Sequence, residues 1–406
     1  SDFHEELLNL GDPIKLTISN KIRRPSNQSG NFLKSPDQKC SFDKKEVQYI
    51  REKNSGWDYK HFNYFKKMKS FQQEEMQKTD FVPDCLVMIR PTDFGFNEQT
   101  ATDNIFQHHL KLSHKEILQK AQQEFDAYVA LLREKGVKVL VLDKSRIPEL
   151  TEIPMPDDVF PNWFSTEPNG MLILYKMNTE LRENEKALLK YLEKALYDEG
   201  YQVNGIISIG SKFDPRGRSL EGTGAMVFDR HNKIIFSGIS NRAHPDYFNT
   251  ACQLLNYRGI NYETEMTNGD PFYHSDLYFC IGQKFAIICL DAIKADKREL
   301  IKEELLSLGK EIIEISLEQV EKYFCGNVLE IKSKKDGKRY VVMSRRAYKG
   351  FTEEQLAKIS KYGEVLTVNL DVIEAVGGGS AKCMLTECLL PEIPEKKPAD
   401  AEVHPL

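Results

Sequence analysis

The sequence predicts an α/β fold of five pseudo-symmetric strand–helix–strand units closing into a ring, with an N-terminal extension. Three observations lead there. Glycines at 136, 200, 259, 309 and 363 each separate an amphipathic segment from an apolar, β-rich one. The steps between them are similar, at 64, 59, 50 and 54 residues. An apolar strand or hairpin precedes each amphipathic segment. Self-similarity at such a period marks repeated supersecondary units, each burying its sheet against its neighbours. Five units close most simply around an axis.

Each element has a local reason. Ser113-x-x-Glu116 and Thr352-x-x-Gln355 are capping boxes that start helices. Leu188, Leu192, Ala195 and Leu196 form one apolar helical face, and Ile301, Leu305 and Leu308 form another. A glycine just past the last turn takes the left-handed conformation that ends a helix. Strands are therefore expected at 137–143, 201–207, 260–266, 310–316 and 364–370. Strands or hairpins before the helices are expected at 86–90, 171–177, 225–239, 277–290 and 328–344. Two of these end alike, as Ser240-Asn241-Arg242-Ala243 and Ser344-Arg345-Arg346-Ala347.

The repeat occupies residues 84–393, between a polar extension at 1–83 and a tail at 394–406. In the extension, 43–53 has the pattern of a short helix, and 57–71 interleaves aromatics with lysines. Two readings of it stay open: a solvated arm packed back on the body, or an arm that docks on a protein partner. A net charge of −5 gives no bulk basic surface for nucleic acid, and no apolar run is long enough to span a bilayer. Eight scattered cysteines without a C-x-x-C pair read as reduced thiols in an intracellular compartment, the mitochondrial matrix or the cytosol. The start at Ser1 is read as a removed leader or a trimmed chain. His108-His109 reads as a surface pair, and neither a metal nor a cofactor is expected.

The loops after the five glycines carry the chemistry. They hold Asn162, Glu221, His274 (with Asp276), Asn327 and Cys383, at offsets of 26, 21, 15, 18 and 20 residues. Equivalent positions in a ring point at one place. Cys383 follows Gly377-Gly378-Gly379, an elbow that lets backbone approach more closely than side chains allow. Taken singly, Cys383 reads as a small buried hydrophobe, His274 as a structural histidine and Glu221 as a turn residue. Their joint placement argues for a site. Arg346 reads as a salt-bridged strut.

These residues resemble the guanidine-modifying, amidinotransferase-like superfamily over about residues 84–391. The stretches that carry the resemblance are Arg90-Pro91, Phe94-Gly95-Phe96-Asn97, Thr100-Ala101, Asn104, Phe106-Gln107, Val159 to Trp163, Glu221-Gly222-Thr223-Gly224, Asp229-Arg230 and Gly377 to Met384. The nearest branch is that of citrulline-utilising hydrolases. The resemblance implies a five-bladed α/β propeller. It implies Cys383 as nucleophile, His274 as general acid/base, Asp276 as the carboxylate gripping a guanidinium, and Glu221 as partner of the histidine. Arg242 falls near the family's arginine for a substrate carboxylate. Many deiminases carry an aspartate at the Asn162 loop. The hydrolase branch often carries Asn-Asn-Trp there, one residue longer than Pro161-Asn162-Trp163.

The expected activity is hydrolysis at the guanidino or ureido carbon of an arginine- or citrulline-like small molecule, with Asn162, Arg242 and Asn327 binding substrate. Two alternatives accompany it. One is an enzyme-derived structural subunit of a larger, mitochondrial assembly. The other is an amidinotransferase using the same covalent intermediate.

Overall fold

The computed structural model describes residues 7–9, 14–17, 80–211 and 214–394. The expectations for 43–53 and 57–71 lie outside the described residues.

Five mixed sheets follow one another along the described chain, and none closes on itself. Four share one plan: an antiparallel hairpin, an outer helix, and a last strand parallel to the hairpin's second strand. The second unit is Phe164–Thr166 and Met171–Tyr175, helix Leu189–Asp198, then Gly205–Ile209. The third is Val227–Asp229 and Ile234–Gly238, helix Pro245–Leu255, then Arg258–Tyr262. The fourth is Phe279–Ile281 and Phe285–Ile288, helix Ala295–Ser307, then Glu311–Glu314. The fifth is Leu329–Lys332 and Arg339–Ser344, helices Arg345–Gly350 and Glu353–Ser360, then Glu364–Val368. The first unit has Cys85–Arg90, helix His114–Glu134 and a parallel Lys138–Asp143. Its antiparallel member, Thr386–Glu387, comes from the far end of the chain.

The middle strands are apolar because both faces are covered. Leu86, Val87, Ile235, Phe236, Ile287, Ile288, Val341 and Val342 are fully buried. Each such side chain contributes roughly 1.5–3 kcal/mol relative to exposure. Both expected capping boxes form, and Ser316 with Gln319 makes a third at helix Leu317–Tyr323.

The glycine rule holds at three of its five positions. Gly136, Gly200 and Gly309 have φ of +79°, +88° and +71°. In the third unit Asn256 takes the left-handed position instead, at φ +58°. Gly259 lies inside the strand, where a Cβ would stand 2.6 Å from Cys252 Sγ and 2.8 Å from Phe248 Cε1. It is a packing glycine, which sequence spacing alone does not distinguish from a cap. Gly363 likewise lies against backbone, where a Cβ would stand 2.9 Å from Tyr340 N.

Two strands are displaced from their expected places. The one expected at 201–207 starts at Gly205, because Tyr201 is taken by a bridge to Glu392. The one expected at 260–266 is Arg258–Tyr262, its register set by Arg258 opposite Ile234. From the expected extension, Ile14–Thr17 adds antiparallel to Gly205–Ile209, and Leu7–Asn9 adds to Ile14–Thr17. In every unit the expected site loop follows the last strand: Asn162 after Lys138–Asp143, Glu221 after Gly205–Ile209, His274 after Arg258–Tyr262, Asn327 after Glu311–Glu314 and Cys383 after Glu364–Val368.

Candidate active site

The elbow begins where helix Asp371–Gly377 ends on Gly378, at φ +65°. A Cβ on Gly377 would lie 2.6 Å from the Phe160 ring, and one on Gly378 would lie 2.6 Å from the Asn104 amide. The three glycines therefore let neighbouring loops close on the backbone. Asn104 Nδ2 donates to the Gly377 carbonyl at 3.3 Å, and the Tyr273 hydroxyl donates to that of Gly378 at 2.6 Å.

Asn327 clamps the nucleophile turn. Its Oδ1 accepts the amides of Lys382 at 2.9 Å and Cys383 at 3.2 Å. Its Nδ2 donates to the Asp276 carbonyl and to Cys383 Sγ, both at 3.0 Å. With its amide so engaged, Asn327 holds the thiol from behind rather than lining the cavity. The Cys383 thiol also donates to Asp276 Oδ2 at 3.4 Å. Lost hydration around the sulfur, and then the Asp276 carboxylate, push the thiol pKa well up, with Lys382 offsetting part of that.

Glu221 is fully buried. Its Oε1 accepts the Asn178 amide at 2.9 Å, and its Oε2 lies 2.8 Å from His274 Nε2. Burial alone would raise its pKa, but Arg242, His274 and Arg182 outweigh that and hold it well below the usual carboxylate range. An ionised Glu221 accepts, so the imidazole proton sits on Nε2 and Nδ1 is left as the basic nitrogen. Both glycines of Glu221-Gly222-Thr223-Gly224 are needed. A Cβ on Gly222 would stand 2.1 Å from the Asn162 carbonyl, and one on Gly224 would stand 2.6 Å from His274 Nδ1.

Asn162, Arg242, His274 and Cys383 line one cavity, with Asp157 and Arg182. Its volume is about 20 Å³, room for about one water. Glu221, Asp276 and Asn327 each contact a cavity residue from outside this wall. All seven expected residues thus gather at one place. Arg346 pairs with Glu374 at 3.0 Å, as expected of a strut. Among the described residues no cluster of His, Cys, Asp or Glu could hold a metal, and no helix is long and apolar enough to cross a membrane.

Arg242 lines the cavity with its charge already paired to Asp103. Its guanidinium is buried, with Nε and Nη2 hydrogen-bonded and Nη1 only within ion-pair distance of a carboxylate. Nε donates to the Asp103 carboxylate at 3.1 and 3.2 Å, and Nη2 donates to Asp103 and to the Thr100 carbonyl. Nη1 lies 3.6 Å from Glu221 Oε2, and the cation stacks 4.4 Å from the Tyr273 ring centre.

Sequence reasoning missed four groups. Arg182 donates to Asn162 Oδ1 and Glu185 Oε1, both at 2.5 Å, and to the Phe160 carbonyl at 2.7 Å. No motif marked it. Lys382 bonds Asp276 Oδ2 at 3.0 Å and the Thr223 carbonyl, and its adjacency to Cys383 was a usable signal. Asp157 accepts from Asn97 Nδ2 at 2.7 Å and from Thr100 Oγ1 at 3.2 Å. Asp103, bound to Arg242, is adjacent to Asn104 in the chain. Two buried carboxylate oxygens here, Asp157 Oδ1 and Asp276 Oδ1, have no hydrogen-bond donor.

Comparison with known proteins agrees with this geometry. Residues 90–390 match the family described as N,N dimethylarginine dimethylhydrolase, eukaryotic. No curated protein matches. Among solved structures, the substrate-bound N-terminal domain of ArgZ, a cyanobacterial arginine dihydrolase, is similar at 16% identity and TM-score 0.57, over 76% of this chain and 99% of that one. Apo ArgZ is similar at 17% identity and TM-score 0.58, over 76% of this chain and 41% of that one. A dimethylarginine dimethylaminohydrolase variant bearing an S-methyl-L-thiocitrulline adduct is similar at 15% identity and TM-score 0.51, over 75% of this chain and all of that one. These likenesses show a shared fold, of the α/β propeller type. The extent of the sequence match decides membership: the chain belongs to the eukaryotic N,N-dimethylarginine dimethylhydrolase family.

Proposed function

We propose that this chain hydrolyses a C–N bond at the guanidino or ureido carbon of an arginine- or citrulline-like small molecule, through a covalent bond to Cys383. One observation carries the reading. Asp276 Oδ1 is a buried acceptor with no donor, on the carboxylate that touches the Cys383 sulfur. A guanidinium or ureido N–H on that oxygen would satisfy it and bring the central carbon to the thiol.

The steps follow from the groups present. A cationic guanidinium beside the sulfur lowers the thiol pKa and promotes the thiolate. The thiol proton passes to His274 Nδ1 as the sulfur attacks the central carbon. The C–N bond to ammonia or an alkylamine breaks as His274 supplies a proton to the leaving nitrogen. That leaves a thiouronium, or a thiocarbamate from a ureido substrate. His274, held by Glu221, then deprotonates a water that attacks the same carbon, and the C–S bond breaks to restore Cys383. Asn162 and Asp157 supply further polar contacts. We infer that the five units surround this site as the blades of a ring, because each contributes one site loop.

Substrate entry needs an opening. Ligand cavities usually measure ~300–1,000 Å³, against about 20 Å³ here. The segment 96–112 covers the site with Thr100 and Asn104 and has no helix or strand. It is the part expected to withdraw. No observation favours amidinotransfer or a purely structural role over hydrolysis.

The test is ammonia and alkylamine release from arginine, citrulline and their N-methylated relatives, with Cys383→Ala as control. Release that disappears in the variant is expected. No release from any of them, together with a Cys383 that does not react with a haloacetamidine, overturns the proposal.

A further inference from the structure

We propose that Cys85 and Cys388 are a modification site: they form a reversible disulfide that staples the last strand of the chain to the first sheet. The inference does not depend on the hydrolase reading.

The register puts the two thiols together. Thr386 pairs with Val87 and Glu387 with Leu86 across the antiparallel seam, so Cys388 stands opposite Cys85. The Cys388 amide donates to the Cys85 carbonyl at 2.9 Å. Residues opposite each other in such a hydrogen-bonded pair have Cα atoms about 5.5 Å apart and side chains on one face. A disulfide spans about 4.4–6.8 Å between Cα atoms. Both side chains belong to the same part of the core, at 0% and 4% exposure. A hydrogen bond with the Cys85 thiol, and then burial, hold the Cys388 pKa well up. Among the described cysteines no other two stand opposite each other in a sheet register.

Their surroundings suit thiol chemistry. Tyr201 bridges to Glu392, on the segment that follows Cys388, and its buried hydroxyl has no hydrogen-bond partner. Burial, and then Cys85 and Cys388, push that hydroxyl's pKa far up, which sets it beside both sulfurs. Lys138 and Lys334 stand 4.8 and 6.0 Å from the Tyr201 ring centre. A spare O–H donor and two cations favour a thiolate, the form in which a thiol reacts.

The step needs a two-electron oxidant, a peroxide or a small disulfide. With hydrogen peroxide, one thiolate attacks an oxygen, the O–O bond breaks, and a sulfenic acid forms with release of water. The second thiol then displaces water from the sulfenic sulfur. Two S–H bonds are lost, one S–S bond forms, and both electrons and both protons leave in two waters. The seam is a strand of only Thr386 and Glu387, so one local opening exposes both sulfurs to the oxidant. Thr386 Oγ1 donates to the Pro161 carbonyl at 2.7 Å. The staple therefore fixes the segment that joins Cys383 to the Asn162 loop.

The test uses the full chain carrying Cys383→Ala, which removes the competing thiol of the site. It is incubated with hydrogen peroxide or oxidised glutathione, alkylated in denaturant and digested without reductant. Mass spectrometry is expected to find the Cys85 and Cys388 peptides joined, lighter by two hydrogens than the separate thiols, and parted by dithiothreitol. The thermal midpoint is expected to rise by roughly 5 °C, but not in a chain that also carries Cys388→Ala. The peptide map needs no variant at either position, so it decides the matter should Cys388→Ala fail to fold. Both thiols found alkylated after prolonged oxidation and after oxidative refolding overturns the inference. So does either sulfur joined only to glutathione or to a different cysteine. A midpoint unmoved by the bond overturns the stapling role.

Discussion

Glu221→Gln removes one charge and almost no volume from the centre of the site. In the folded protein that charge faces His274 at 2.8 Å and Arg242 at 3.6 Å, with no exposure to solvent. Gln keeps an acceptor for the Asn178 amide. Its other end becomes an amide that cannot accept the Nε2 proton of His274 if it turns its NH₂ inward. The imidazole then loses its fixed tautomer. Removing one partner of a buried ion pair costs about 3–5 kcal/mol. Because Arg242 keeps Asp103, a loss near 3 kcal/mol is expected at neutral pH. That corresponds to a fall in Tm on the order of 5 °C for a chain of this size. The general acid/base contribution at risk is roughly 10²–10⁴-fold in rate. The pH dependence has a definite sign. The folded pKa of Glu221 is depressed, so its ionisation stabilises the fold above the unfolded carboxylate pKa of about 4.3. That stabilisation is lost as pH falls towards the folded value. The Tm gap between wild type and variant should therefore be full at pH 7 and shrink below about pH 4. Calorimetric melts across pH and steady-state rates measure both. A variant within twofold of wild-type rate, or a gap that stays constant with pH, would refute the reasoning.

Three further outcomes are expected. Gly224→Ala places a methyl 2.6 Å from His274 Nδ1 and 2.7 Å from Asn162 Nδ2, and displacement of about 1 Å at a reacting group costs roughly 10²-fold in rate; unchanged kcat would contradict it. Asn327→Ala strands the Lys382 and Cys383 amides, at about 1–3 kcal/mol for each buried donor left unmet, so denaturant melts should show a lower midpoint and kinetics a lower kcat. The raised thiol pKa of Cys383 predicts slow alkylation by iodoacetamide at pH 7.5, faster with rising pH and on adding a guanidinium compound; rapid labelling at pH 7.5, followed by mass spectrometry, would contradict it.

The sequence showed its repeat because helix ends and strand starts are local events. Ser113 and Thr352 cap helices through contacts three residues away, and Gly136, Gly200 and Gly309 end them within one turn. Cys383, His274 and Glu221 were legible because the repeat makes their loops equivalent. What escaped was set by partners distant in sequence. Arg242 reads as a free anion binder until Asp103, 139 residues away, is found on it. Arg182 sits in an ordinary short helix, and only folding brings it to Asn162. Gly259 imitates a helix cap because its reason, Cys252 and Phe248 beneath it, is tertiary. The strand Ile14–Thr17 is four residues in a polar stretch, too short to show a period.

The pairing of Thr386–Glu387 with Cys85–Arg90 has a consequence for synthesis. One side of Cys85–Arg90 meets Lys138–Asp143 early, but its other side must wait for the ribosome to reach residue 387. At ~5–20 residues per second that wait is about 15–60 s. For that time a nascent chain displays a bare, apolar strand edge, the kind of surface that invites wrong pairing. The same delay keeps Cys383 unassembled until nearly all of its partners exist, so translation products that stop short carry the exposed edge and no finished site. Production in cells should therefore depend on chaperones that shield strand edges, and a bulky fusion close behind residue 390 should lower yield more than one at the other end.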